Sequence, residues 1–366
     1  MARRGSFGPL GARNMTRIGS IRMADAARAE FDDSVSADDL RELTKQSRLR
    51  VLQCSAPVRD AVWHRVNEHF CAARPDVEIR VYGHYASVCD LTFARFLPNV
   101  RRFAADCLMR ATGIEAIAEI PDLESLSLGV FDLEDFSVLG RFSQGLQSLS
   151  LGATRSKRPN LDPLRRFRSL RVLCLERHSK GIEVLNELRE LEDVTLRSIS
   201  TPDLQYLSHL PRLWSVDIKL GGIRGFAGID GKESIKYLEL WQVRELRNID
   251  VVGTLPGLQN LFLQSLPRIG SFPRVGESRR LRRIVVENLK GLSDFTALET
   301  APALEEFALL AGREQTPRQI LPVLKNPSVR RVSAYFGSDH KNDEFSRLRE
   351  EHGKASFDGW DTFCYQ

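Results

Sequence analysis

Between Ile235 and Leu310 one hydrophobic pattern is written three times and begun a fourth. It reads Ile235-x-x-Leu238-x-Leu240, Leu258-x-x-Leu261-x-Leu263, Leu281-x-x-Ile284-x-Val286 and Leu304-x-x-Phe307-x-Leu309, with first anchors 23, 23 and 23 residues apart. The alternation inside each anchor group predicts a short strand with one buried face. Apolar residues then recur at every third position, as in Val243, Leu246, Ile249 and Val252. That period predicts a 3₁₀ or extended return segment, because a long α-helix would repeat nearer 3.6.

The same anchors precede this stretch at Val100, Leu123, Leu146, Leu170, Leu191 and Leu213, and one more follows at Val329, after a longer insertion from Ala311 to Gln319. This gives eleven units from Val100 to Ala334. The L-x-x-L-x-L core at this period resembles the leucine-rich repeat family, whose stacked units cannot bury their apolar faces alone. The resemblance implies an α/β repeat architecture: a right-handed solenoid with a parallel β-sheet on its concave face, short helical, 3₁₀ or irregular convex segments, and helical end caps. One departure matters. Many such repeats carry Asn or Cys at the ninth position, where this chain has Leu108, Phe131, Thr154, His178, Ile199, Gly221, Val243, Leu266, Leu289 and Gly312. Buried backbone groups still need partners, so main-chain bonds or water are expected to replace the side-chain ladder.

Four regions are expected. Residues 1–32 read as a basic, disordered leader, since the first 24 residues carry Arg3, Arg4, Arg13, Arg17 and Arg22 and no acid. The alternatives for this stretch are a transit peptide and an early start codon, since Met15 and Met23 offer later starts. Residues 33–76 read as a helical N-terminal cap with a degenerate repeat: Ser36 and Asp39 suit a capping box, Leu49-x-x-Leu52-x-Cys54 a strand, and Val58, Val62, Val66 and Phe70 an amphipathic helix. Residues 77–336 form the repeats. Residues 337–366 read as a C-terminal cap, a helix from Ser338 or Asp339 to Gly353 with Phe357, Trp360 and Phe363 packing after it.

Composition narrows the class without naming a role. Hydrophobic residues make up 42% and charged residues 28%, and 53 basic against 48 acidic residues leave a net charge of +5, a weak bias for a polyanion partner. The six cysteines form no C-x-x-C pair. They suggest thiols in a reducing compartment and a cytoplasmic protein. No metal or cofactor motif is present. Cys174 and His178 lack an orienting third group, and His64 and His69 are five residues apart, not the four a zinc helix requires.

The positions between the apolar anchors are expected to face the concave surface. Trp214, Tyr237, Trp241 and Phe262 fall on adjacent repeats, with Asp217, Lys219, Glu239, Gln264 and Arg282 around them. At roughly 4.8 Å per strand these rings would form one patch rimmed by charges, an anchor for a protein partner. The bland reading is cross-strand packing for stability. Arg101-Arg102, Arg282-Arg283 and Arg330-Arg331 raise nucleic-acid binding, but Glu192-Asp193 and Glu305-Glu306 interrupt the stripe. The expected function is therefore non-enzymatic protein–protein recognition, by an adaptor, a regulatory subunit or a toxin-immunity protein. The alternatives are a translocated effector that binds a host protein and a nucleic-acid-binding module.

Overall fold

A computed structural model describes residues 17–83, 87–156, 159–275, 278–357 and 362–366. The described chain divides into two compact units, residues 17–190 and 191–366.

In the first unit the strands are β1 (Arg17–Ile18), β2 (Ile21–Met23), β3 (Arg28–Glu30), β4 (Val51–Cys54), β5 (Glu78–Tyr82), β6 (Val88–Asp90), β7 (Arg102–Leu108), β8 (Arg110–Thr112), β9 (Ser125–Val130), β10 (Ser148–Leu151) and β11 (Val172–Glu176). From β3 to β5, and on through β7, β9, β10 and β11, neighbours pair in parallel, while β2 is antiparallel to both β1 and β3. Strands β6 and β8 make a separate two-stranded sheet. Of the basic leader expected over 1–32, residues 17–30 instead contribute three strands to the sheet, where Arg22 pairs with Glu30 across the β2–β3 turn. Residues 1–16 lie outside the described residues.

Two helices occupy the region expected to be a cap, α1 (Ala37–Thr44) and α2 (Asp60–Val66), the latter running on into a π-turn over Asn67–Cys71. The capping box at Ser36 and Asp39 is present. These helices behave as return segments of ordinary repeats, because β4 has a parallel partner on both edges. Trp63 on α2 stacks on Phe93 of the following return segment at 4.0 Å and meets Phe31 edge-on at 5.5 Å. Three successive units share that aromatic core.

The second unit contains β12 (Asp193–Arg197), β13 (Ser215–Lys219), β14 (Tyr237–Trp241), β15 (Asn260–Gln264), β16 (Arg283–Glu287), β17 (Glu306–Leu310) and β18 (Arg331–Ala334), all paired in parallel and in sequence order. The helices here are short, α3 (Val251–Thr254) and α4 (Leu321–Lys325), until α5 (Asp339–Glu351). Elsewhere in both units the returns are 3₁₀ or irregular, as in Ile114–Glu119, Ile182–Glu187 and Thr296–Leu298. The inward residues Val216, Ile218, Leu238, Leu240, Leu261, Leu263, Ile284, Val286, Phe307 and Leu309 are all buried. At about 25 cal/mol per Å² their burial is the main force holding the strands in register. Among the described residues no helix is long and apolar enough to cross a membrane.

The missing Asn ladder is replaced by backbone geometry. In eight repeats the residue just before the ninth position is non-glycine yet left-handed: Cys107, Arg177, Ser198, Leu220, Gln242, Ser265, Asn288 and Ala311, with φ from +50° to +69°. In the second unit this turns the N–H of Ser198, Leu220, Gln242, Ser265 and Asn288 toward the carbonyls of Lys219, Trp241, Gln264, Glu287 and Leu310, at 2.7 to 3.0 Å. Those carbonyls belong to the last residue of each strand, so the ladder fixes the strand ends where outward side chains emerge. Gln315 and Asn326 add buried side-chain donors to carbonyls of the preceding repeat. A left-handed L-residue costs roughly 1–2 kcal/mol, and β-branching stiffens χ1 further. Gln242→Ile should therefore lower stability by about 1–2 kcal/mol in urea unfolding, whereas Gln242→Gly should stay close to the wild type.

His178, one of the ninth-position residues, is fully buried. Its Nε2–H donates to the Gly152 carbonyl at 3.0 Å, and its ring meets Phe136 edge-on at 4.8 Å. The ring links two repeats, which explains its place beside Cys174 without chemistry. Burial holds its pKa below the ordinary value, against the pull of the Gly152 hydrogen bond. The folded pKa is thus depressed relative to the unfolded chain. The neutral ring's contribution is present above the unfolded value of about 6.5 and is lost as pH falls through the folded pKa. Urea midpoints should drop between pH 7.5 and 5, and His178→Phe should flatten that part of the profile.

Candidate protein-interaction face

Alternation places every second strand residue on the face opposite the core, and the register aligns these residues into rows across the repeats. The first row is Ser215, Tyr237, Asn260, Arg283, Glu306 and Arg331; the second is Asp217, Glu239, Phe262, Val285, Ala308 and Ser333. The third is Lys219, Trp241, Gln264, Glu287 and Leu310. Tyr335, 59% exposed, follows the end of β18 and donates its N–H to the Leu309 carbonyl.

The third row and its neighbours form one connected group. Lys219 Nζ lies 2.9 Å from Glu239 Oε1 and 3.7 Å from Asp217 Oδ2, and 5.8 Å over the Trp241 ring. Tyr237 donates its hydroxyl to Glu239 at 2.9 Å. Asp217, expected at the rim, is buried, so these charges lie within the patch and balance one another. Trp241 is half-buried, and its Nε1–H has no hydrogen-bond partner among the described residues. Gln264 stands between Trp241 and Glu287 in the row, and burial raises the Glu287 pKa.

Trp214, Phe262 and Arg282 are engaged differently. In β11 and β12 the outward positions are half-exposed, as alternation demands; in β16 both Arg283 and Val285 are buried. The cover is the chain's own last segment. After α5, Ala355 bridges β18 at Arg331. Phe357 then donates its N–H to Ser333 Oγ at 2.8 Å and packs with Val285, Ala308, Phe262 and Leu310. The guanidinium groups of Arg283 and Arg331 lie 4.7 and 5.1 Å from the Phe357 ring, and that of Arg283 lies 5.0 Å from Phe363. Arg282 donates to the Cys364 carbonyl at 3.2 Å and covers Phe363 at 5.3 Å. Tyr365 meets Trp214 edge-on at 5.1 Å, and Asn260 donates to its hydroxyl at 3.3 Å.

Gln259, fully buried, holds Gln366 at two points, Nε2 to the main-chain oxygen at 2.7 Å and Oε1 from the N–H at 2.9 Å. Lys236 Nζ reaches the same oxygen at 2.9 Å. Phe357 and Phe363, expected to pack in a C-terminal cap after the helix, do so on the strand face; Trp360 falls outside the described residues. Sequence reasoning placed Gln259, Asn260 and Arg283 on this face but missed what they hold, because nothing local in the chain marks a contact across 107 residues.

Four of the six arginines in the basic pairs meet carboxylates of neighbouring repeats: Arg101 with Glu124, Arg282 with Glu305, and Arg283 and Arg331 with Glu306. In the first unit a cleft of about 500 Å³ is lined by Val88, Arg110, Ile114 and Asp132, and Asp132 is already bound by Arg110 and Arg155.

No protein-family model matches the sequence, and no curated protein matches it. Among solved structures, a chain of the Toll–Spätzle complex from Drosophila superposes with a TM-score of 0.50 at 12% identity over 86% of this chain. In this chain's second unit one strand per repeat pairs in parallel and in order. This is a leucine-rich-repeat fold. The chain spans 50% of the length of that Toll–Spätzle chain. Two internalins of Listeria monocytogenes are also similar, both at 16% identity: inlF with a TM-score of 0.46, covering 86% of this chain and 87% of its own, and inlC2 with 0.35, covering 59% and 79%. At these identities the likeness is one of fold alone, and the leucine-rich-repeat face has to be read from its own residues.

Proposed function

We propose that the chain is a non-enzymatic recognition scaffold that holds a protein partner on the outward strand face of its second unit, as an adaptor, a regulatory subunit or a toxin-immunity protein does. The observation that carries this reading is the Lys219–Trp241 group. A half-exposed indole stands beside a lysine shared by two carboxylates, and aromatic side chains that become buried on binding dominate protein interfaces. A protein partner is favoured over nucleic acid because the arginines that would track phosphates are paired with acids. The six cysteines, none of them in a disulfide, fit a reducing, cytoplasmic setting, with burial pushing Cys71 and Cys89 up to about 12.

The test is site-specific photo-crosslinking in source cells. A photoreactive phenylalanine at Tyr335, on the face, should yield one discrete protein adduct. The same group at Glu299, exposed on a return segment, should yield none. Adducts from Glu299 alone would move the interface off the strand face and overturn the reading.

A further inference from the structure

The segment 362–366 lies on the leucine-rich-repeat face as a bound peptide would. Its burial alternates, with Phe363 and Tyr365 half-buried and Thr362, Cys364 and Gln366 exposed, which is the signature of an extended strand with one side down. The two rings sit among Trp214, Arg282 and Arg283. Its main chain is read by side chains: the Cys364 carbonyl by Arg282, and both the N–H and the main-chain oxygen of Gln366 by Gln259, with Lys236 on the same oxygen. Contacts from side chains to a peptide backbone do not depend on the bound sequence. The only sequence requirement here is an aromatic residue at each of two positions separated by one.

We infer that residues 362–366 are a resident occupant of a peptide-binding site formed by Trp214, Lys236, Gln259, Arg282 and Arg283, and that the partner is a protein presenting an extended aromatic-x-aromatic segment that takes their place. The inference rests on the recognition reading above and specifies its partner. The segment contributes no strand pairing among its described contacts, only side-chain clamps and ring packing. Its hold therefore derives largely from being tethered to the site, which a partner at sufficient concentration or valency overcomes.

The experiment uses the full chain with Phe363→Ala and Tyr365→Ala together, and a fluorescein-labelled synthetic peptide of the sequence Thr-Phe-Cys-Tyr-Gln. Fluorescence anisotropy should show the peptide binding the double variant at least ten-fold more tightly than the wild type, whose site is filled. Adding Gln259→Leu to the double variant, which keeps side-chain volume and removes the amide clamp, should lower that affinity at least ten-fold. Equal affinity for wild type and double variant, or no binding to a double variant whose thermal melt matches the wild type, overturns the inference. If the double variant melts early, the same competition is read with Tyr365→Ala alone. Lys219, Trp241 and Tyr335 are not among the residues that form this site, so crosslinking at Tyr335 that persists while the peptide fails to bind would sink the inference and spare the recognition reading.

Discussion

Glu306→Ala should cost about 3–5 kcal/mol of stability, which is the typical penalty for breaking a buried ion pair by removing one partner. Glu306 is 9% exposed and accepts from Arg283 Nε at 2.5 Å and from Arg331. Arg283 is itself 5% exposed, beneath Phe357 and Phe363. Without the carboxylate, a guanidinium stays buried between two rings, far from bulk water, with its principal counter-charge gone. The loss also loosens the base on which Phe357 sits, so the last segment should come free of the face before the array unfolds. Replacing Arg283 and Glu306 together with Met and Leu should cost much less, because the buried guanidinium is then gone and Arg331, which also loses the carboxylate, has a side chain 38% exposed to water. Urea unfolding of the single and double variants checks both statements. A Glu306→Ala penalty under about 1 kcal/mol would mean the pair is solvated in solution.

The repeats were legible because the force that builds them is local and periodic. Anchors such as Leu258, Leu261 and Leu263 state which residues face inward, and the eleven units from Val100 to Ala334 coincide with the eleven strands from β7 to β18 that leave out β8. The period of three after Val243 likewise announced short returns. Three features were hidden, each for a physical reason. Strands β1 to β3 hold two or three residues each, too few to show alternation, and their basic side chains resemble a leader. The left-handed residues Leu220 and Gln242 carry no glycine or asparagine signature; their geometry is imposed by the ladder that their own N–H groups complete. The cover on the face arises from long-range contacts. Alternation tells which residues point outward, and it cannot tell that Gln259 will meet Gln366 or Trp214 will meet Tyr365. That is why a patch read as four adjacent rings divides into an open group at Trp241 and a covered group at Trp214 and Phe262.

The open group carries the second large effect. Trp241 presents a ring flanked by Lys219 and an indole N–H with no partner of its own. A bound protein would bury the part of the ring that is still exposed, beside the Lys219 ammonium. Tryptophans in such positions typically lose about 2 kcal/mol or more of binding when truncated, or roughly 30-fold in affinity. Lys219 acts through placement: its two carboxylate partners hold the ammonium against the ring, so Lys219→Ala should weaken binding less than Trp241→Ala and should raise its salt sensitivity. The most direct measurement is quantitative capture from source-cell lysate on immobilised wild type and Trp241→Ala, with equal bait and matched thermal melts. The account predicts that the protein crosslinked at Tyr335 is retained at least ten-fold less by Trp241→Ala. Equal retention by a folded Trp241→Ala variant would contradict the claim that this face is where the partner binds.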